Sequence, residues 1–261
     1  MKENVLPPST EEPNSKRTKI YQQLVGSLAY IATFTRPDVA RAHSVLARHL
    51  ANPGQKHLYA AIHCWRYLIG KRNLALKASG TQNEKDLFVI PVENADKYTD
   101  TVEPIFYGAS DAAYADEPDT RRSSEGYLFK LYGLPVDWKA AIQKTVTKST
   151  TEAELLALSR AGGEIKWWNR LFREIRFNPD IVSKIWCDNQ QTLWLRQEVE
   201  AGRIHVDWKP TAYMPADGLT KVLPRQKHAQ FIKQLGLEDV SDRLITTIKD
   251  INNESLLEIH D

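Results

Sequence analysis

Between residues 20 and 70 the apolar positions recur with the period of a helix. Leu24, Leu28 and Ile31 fall at i, i+4 and i+7 within YQQLVGSLAYIATF. Thr35-Arg-Pro-Asp then puts Pro37 where a first helical turn accepts it, and Val39, Ala42, Leu46 and Leu50 follow as a second stripe. Asn52-Pro-Gly breaks that run. Leu58, Ile62, Trp65 and Ile69 make a third stripe, closed by Gly70. Three amphipathic helices in succession predict a small all-helical unit over residues 19–72, which by itself reads as a packing module. Residues 1–18, rich in Pro, Ser, Glu and Lys, offer little to bury and read as a disordered lead-in.

From residue 73 the period shortens. LALKAS and DLFVIP read as short strands on either side of a polar stretch (Thr81–Lys85), a connecting segment over 73–104. IFYGAS (105–110) has the pattern of a buried strand and runs into Asp111. SSEGYLFKLYG and LPVDWKA, joined at Tyr132-Gly133, predict a hairpin. Helical spacing returns over 150–176, where Leu155, Leu158, Ile165, Trp168, Phe172 and Ile175 share a face and Gly162-Gly163 is a weak point. SKIWCD is a strand, QTLWLRQEVEA a helix and RIHVDWKP a strand. Two helical pieces follow, around Pro215–Lys221 and Pro224–Leu235, and a polar tail fills 238–261. The order β-β-β-α-β-α-β-α over 105–237 predicts an α/β domain with a mixed sheet, its hairpin antiparallel and its later strands joined by crossovers.

Composition narrows the class. An apolar content of 42% and a charged content of 26% belong to a soluble globular protein. The formal net charge of +2 sets up no basic field over the whole chain, so any contact with nucleic acid rests on local patches. Cys64 and Cys187 form no C-x-x-C, which excludes a zinc knuckle and suits a reducing compartment. No segment approaches a transmembrane run, and the N-terminus lacks the apolar core of a signal peptide. The expectation is an intracellular protein without a membrane partner, cytoplasmic with the nucleus as alternative, and not secreted.

One acid per element then stands out. Asp111 ends the first strand of the α/β domain, Glu154 lies one turn into the long helix, Asp188 ends a later strand, and Asp217 opens a C-terminal helix. Sites in α/β sheets form at the carboxyl ends of strands. Each acid also has a plainer reading. Thr151 and Glu154 match a capping box, Asp188 is placed to cap a helix, Asp217 suits a helix N-terminus, and Asp111 suits a turn. Singly, those readings are the commoner ones; the set of four, in this order, favours a shared crevice.

The segment YGASDAAYADEPDTRRSSEGYLFKLYGLPVDWKAAIQKTVTKSTTEAELLAL, followed by IWCDNQQT and PTAYMPADGLTKVLP, closely resembles the ribonuclease H domain of copia-type LTR-retrotransposon polyproteins. The preceding YQQLVGSLAYIATFTRPDVARAHSVLARHLANPGQKHLYAAIHCWRYL is similar to the end of the adjoining reverse transcriptase. This resemblance implies a ribonuclease H-like mixed five-stranded sheet flanked by helices. It also implies a catalytic, metal-binding carboxylate set carried by Asp111, Glu154, Asp188 and Asp217, with Glu152 and Asp116 as runners-up for the helix and first-strand positions. Mg²⁺, with Mn²⁺ as alternative, suits such hard oxygen ligands, and two ions about 3.5–4 Å apart serve phosphodiester displacement. The implied substrate is the RNA strand of an RNA–DNA hybrid, and the implied partners are the other products of the polyprotein. Arg121, Arg122, Lys139, Lys144 and Lys148 are candidate phosphate contacts, or else solvated surface charges.

The chain departs from the family at several places. It has no Y-x-D-D and opens downstream of the polymerase palm, so no polymerase activity is expected of this polyprotein fragment. The family also places a longer segment, with a basic element and an extra helix, between the CDNQ strand and the WLRQEV helix; here Gln191-Thr192-Leu193 runs directly into Trp194. The crossover near 190–203 is therefore shortened, although about a dozen residues suffice for a parallel connection. Two outcomes follow: a ribonuclease H-type hydrolase, or a decayed remnant that keeps a nucleic-acid-binding fold without turnover.

Overall fold

The computed structural model describes residues 6–78, 104–117, 119–177, 179, 183–188 and 204–244. Helices α1 (Ser15–Phe34), α2 (Ala40–Leu46) and α3 (Gln55–Gly70) form the helical unit. Strand β1 (Leu74–Leu76) leaves it. The α/β part comprises β2 (Phe106–Ala113), β3 (Ser124–Leu131), β4 (Leu134–Ile142), α4 (Thr150–Glu174), β5 (Ser183–Cys187), β6 (Ile204–Trp208), α5 (Asp217–Thr220), α6 (Arg225–Gln234) and β7 (Leu237–Asp239).

The main sheet is five-stranded with order β4-β3-β2-β5-β6. β4, β3 and β2 are antiparallel neighbours, whereas β5 runs parallel to both β2 and β6. This is the mixed sheet that the element order predicts. The hairpin turns at Tyr132 (φ 51°) and Gly133 (φ 74°), a left-handed pair that matches the twist of a two-residue connection. β5 and β6 pair in parallel from Ser183 opposite Ile204 to Cys187 opposite Trp208. The helix expected over 191–201, the shortened join and the DLFVIP strand lie outside the described residues.

Side chains alternate between the two faces. Phe106, Tyr127, Phe129, Ile185 and Ile204 pack under α4 against Leu158, Ala161, Ile165 and Phe172. Helix α4 runs unbroken through Gly162-Gly163, and its expected stripe stops short of Ile175, which caps the helix and is 60% exposed. Leu128 on the opposite face meets Leu219, Phe231, Leu235 and Leu237.

Ala40 of α2 belongs to that second core, so the helical unit is built into the α/β part. Trp138 Nε1 donates to the Ala32 carbonyl at 2.7 Å, and Arg41 pairs with Asp116 at 2.7 Å. β1 pairs antiparallel with β7, Leu74 opposite Asp239, so the sequence boundary drawn at residue 237 cuts through a strand.

The lead-in also differs from expectation. α1 begins at Ser15, capped by Asn14, whose Oδ1 accepts from Arg17 N at 2.9 Å. Leu6 packs on the helical core. His57 Nδ1 accepts from Gly54 N, and its Nε2–H then donates to the Pro7 carbonyl at 2.9 Å. Glu11 pairs with Arg17 and accepts from Gln55 N. Polar anchors, which an apolar pattern does not register, order residues 6–14.

Candidate metal centre

Asp111 lies in β2 and is fully buried. Its register partner on β3 is Gly126. A Cβ there would lie 2.7 Å from Leu219 Cβ and 3.1 Å from Thr220 Cγ2. The missing side chain lets α5 settle on the sheet beside Asp111. Thr220 Oγ1 donates to Asp111 Oδ2, and Lys221 Nζ lies 3.5 Å from Oδ1.

Glu154 comes from the first turns of α4. The N-cap is Ser149, not Thr151: its Oγ accepts from Glu152 N at 3.1 Å, and Glu152 Oε2 accepts from Lys148 N at 2.6 Å. Capping is thus performed by Ser149 and Glu152, which leaves the Glu154 carboxylate free to turn toward the sheet, where it accepts from the Ala112 backbone. Glu152, the runner-up, is committed to the helix end. Asp116 is committed too, accepting from Ser124 N (2.7 Å) and Ser124 Oγ (2.8 Å) while pairing with Arg41.

Asp188 is the residue after β5. Its Oδ2 accepts from Thr211 Oγ1 at 3.0 Å, and its carbonyl accepts from Trp208 Nε1 at 3.0 Å, which ties it to β6 and the turn beyond. Among the described residues, carboxylate oxygens of Asp111, Glu154 and Asp188 lie within 4.8 Å of one another. Asp217, the first residue of α5, is the neighbouring fourth acid. It is ion-paired with Lys221, four residues on and just past the end of that helix.

Burial first, then the neighbouring acids Asp188 and Asp217, push the Asp111 carboxyl up to about 7 against the pull of Lys221 and Thr220. Burial and the charges of Asp111 and Asp188 push Glu154 up to about 9. For Lys221, burial favours the neutral amine, but Asp111, Asp217 and Asp188 together outweigh it and raise the ammonium above its ordinary value. Burial and the acids' mutual repulsion therefore oppose full ionisation of the cluster unless a cation compensates it. Three carboxylates drawn from three elements offer hard oxygen donors that fit a divalent cation.

Arg121, Arg122, Lys144 and Lys148 are exposed in the β2–β3 and β4–α4 connections. Those connections leave the sheet where Ala113, Ser124 and Ile142 pair, the same end as the acids. Lys139 stands apart on β4, opposite Tyr127, beside Glu125 and Arg160 in a small cavity. Sequence reasoning missed Lys221, Thr220, Thr211 and Gly126. The first two carried a signal, since i+3 and i+4 from Asp217 lie on its helix face; Thr211 and Gly126 carried none without the register.

No protein-family model matches the chain. The retrovirus-related Pol polyprotein from transposon TNT 1-94 of Nicotiana tabacum is 33% identical over 241 residues, 84% of this chain and 16% of that protein. The chain belongs to the copia-type retrotransposon Pol family. The Pol polyprotein from transposon RE1 of Arabidopsis thaliana is 28% identical over 242 residues, again 84% of this copia-type chain and 15% of the relative. The copia-type chain thus spans about a sixth of the length of these polyproteins. It is also similar to Secreted RxLR effector protein 161 of Plasmopara viticola, 34% identical over 147 residues, 56% of this chain and 89% of that protein. Among solved structures, LC11-RNase H1, crystallised in complex with an RNA/DNA hybrid, aligns with 44% of this chain and 93% of its own, with a TM-score of 0.34 and 12% identity.

Proposed function

We propose that this copia-type chain is a divalent-metal endoribonuclease that cleaves the RNA strand of RNA–DNA hybrids. The observation that carries this reading is the convergence of Asp111, Glu154 and Asp188, after the structural tasks of capping and loop closure have fallen to Ser149, Glu152 and Asp116. Asp111, Glu154 and Asp188 would hold the metal, with Asp217 completing the set. When bound, such ions supply Lewis acidity and an activated water for in-line displacement at a phosphodiester. The chain's own residues fix the acids. Thr220 orients Asp111, Thr211 orients Asp188, and the Ala112 amide orients Glu154.

Arg121, Arg122, Lys144 and Lys148 supply positive charge at the rim, where a polyanion approaching the acids would pass. On this reading the chain works inside the cell beside the other products of its polyprotein.

Purified chain should cut a labelled RNA–DNA hybrid with Mg²⁺ or Mn²⁺. Asp111→Asn and Glu154→Gln should each lose at least a hundredfold in kcat, while Glu152→Gln should stay within a few-fold of wild type. Equal loss in Glu152→Gln and Glu154→Gln would overturn the assignment of Glu154. Hybrid binding without cleavage by the wild type would support the decayed-remnant alternative instead.

A further inference from the structure

The fourth acid and the three-acid cluster are separated by a side chain that the proposed reaction does not use. Lys221 lies between them: its Nζ is ion-paired with Asp217 Oδ1 and stands 3.5 Å from Asp111 Oδ1. Asp217 therefore spends a carboxylate oxygen on an ammonium, on the side that faces the cluster. An ammonium shared by two carboxylates sits where a bound cation would share them. Its place just past the end of α5, four residues from Asp217, tethers it there, so it competes with free ions at high local concentration. The Lys221 side chain is also 38% exposed and four carbons long, so Nζ can swing into solvent without unpacking the helix. Its neighbour Thr220, by contrast, is fully buried and held to Asp111.

We propose that Lys221 is a built-in counter-cation that holds Asp217 out of the metal centre. The chain alone then takes one divalent ion on Asp111, Glu154 and Asp188, and a second only when Lys221 releases Asp217. This rests on the metal-centre reading above and deepens it. Lys221 is a positioning residue here, acting through Asp217, and the chemistry of metal occupancy governs its effect.

The test is titration of the full chain with Mn²⁺ alone, without nucleic acid, following heat and the free-ion electron paramagnetic resonance signal. Wild type should bind one ion tightly and a second at least tenfold more weakly. Lys221→Gln should bind the second ion at least tenfold more tightly than wild type does. Lys221→Arg, which keeps the charge, should restore wild-type behaviour, and Lys221→Gln combined with Asp217→Asn should return to one ion. If Lys221→Gln melts as an unfolded chain, Lys221→Met, similar in length and uncharged, takes its place. A second-ion affinity that is the same in wild type and the neutral variants overturns the proposal while leaving the metal centre intact. Failure of wild type to bind any Mn²⁺, or binding that survives Asp111→Asn and Asp188→Asn unchanged, overturns both readings.

Discussion

Asp111 and Glu154 sit in a place that resists their ionisation, and this governs how the protein responds to pH. Their carboxyls stand at about 7 and about 9, above the ordinary carboxylate range near 4. A raised acid favours the folded state while it is protonated. Its contribution is full below the unfolded pKa and is lost as pH rises through the folded one. Metal-free protein should therefore melt at successively lower temperature from about pH 5 to about pH 9, and saturating Mg²⁺ should remove most of that slope. Differential scanning calorimetry with and without chelator measures this; a flat metal-free profile, or a slope that Mg²⁺ leaves untouched, would contradict the account of the cluster. Acids of this kind are legible in a sequence because they stand near the ends of strands and the starts of helices. Which acid caps a helix and which faces the site is settled only by where the helix starts: Ser149 as N-cap, two residues ahead of the expected Thr151, is what releases Glu154.

At the scale of elements, the site depends on how closely α5 approaches the sheet. α5 is a single turn, Asp217–Thr220, yet it delivers Asp217 and Thr220, with Lys221 just beyond its end, to one side of Asp111. Gly126 makes the approach possible, and the atom a Cβ would meet at 2.7 Å is Leu219 Cβ, which cannot swivel away. Gly126→Ala should force α5 outward at a cost of about 1–3 kcal/mol, the usual scale for overpacking. It should also reduce hybrid cleavage more than tenfold, beyond what its stability loss explains. Denaturant melts run beside single-turnover kinetics would check this, and wild-type kinetics in a folded Gly126→Ala variant would contradict it. The strands of the five-stranded sheet, its hairpin and α4 were legible from periodicity and turn residues. The face that Gly126 keeps clear was not, because a glycine within a strand marks a close approach without naming the element that approaches.

For the whole molecule, the helical unit is a structural partner of the α/β part. Ala40 sits in the second core, Trp138 bonds to α1, Arg41 meets Asp116, and β1 completes a ribbon with β7. A chain lacking residues 1–72 would expose that core face and strand pairing. It should be poorly soluble or lack a cooperative thermal transition, while the intact chain unfolds in a single step. A soluble truncated chain with an unchanged melting temperature would contradict this integration. Period marks where helical spacing gives way to strand spacing, but it could not show that the two parts share a core, since period reports which face is buried and not what covers it. The most direct test of the central claim is cleavage of a uniformly labelled RNA–DNA hybrid by the intact chain, with Mg²⁺, with Mn²⁺ and with chelator. The account predicts shortened RNA fragments with either metal, none with chelator, and none from Glu154→Gln; intact RNA under both metals from well-folded wild-type protein would contradict it.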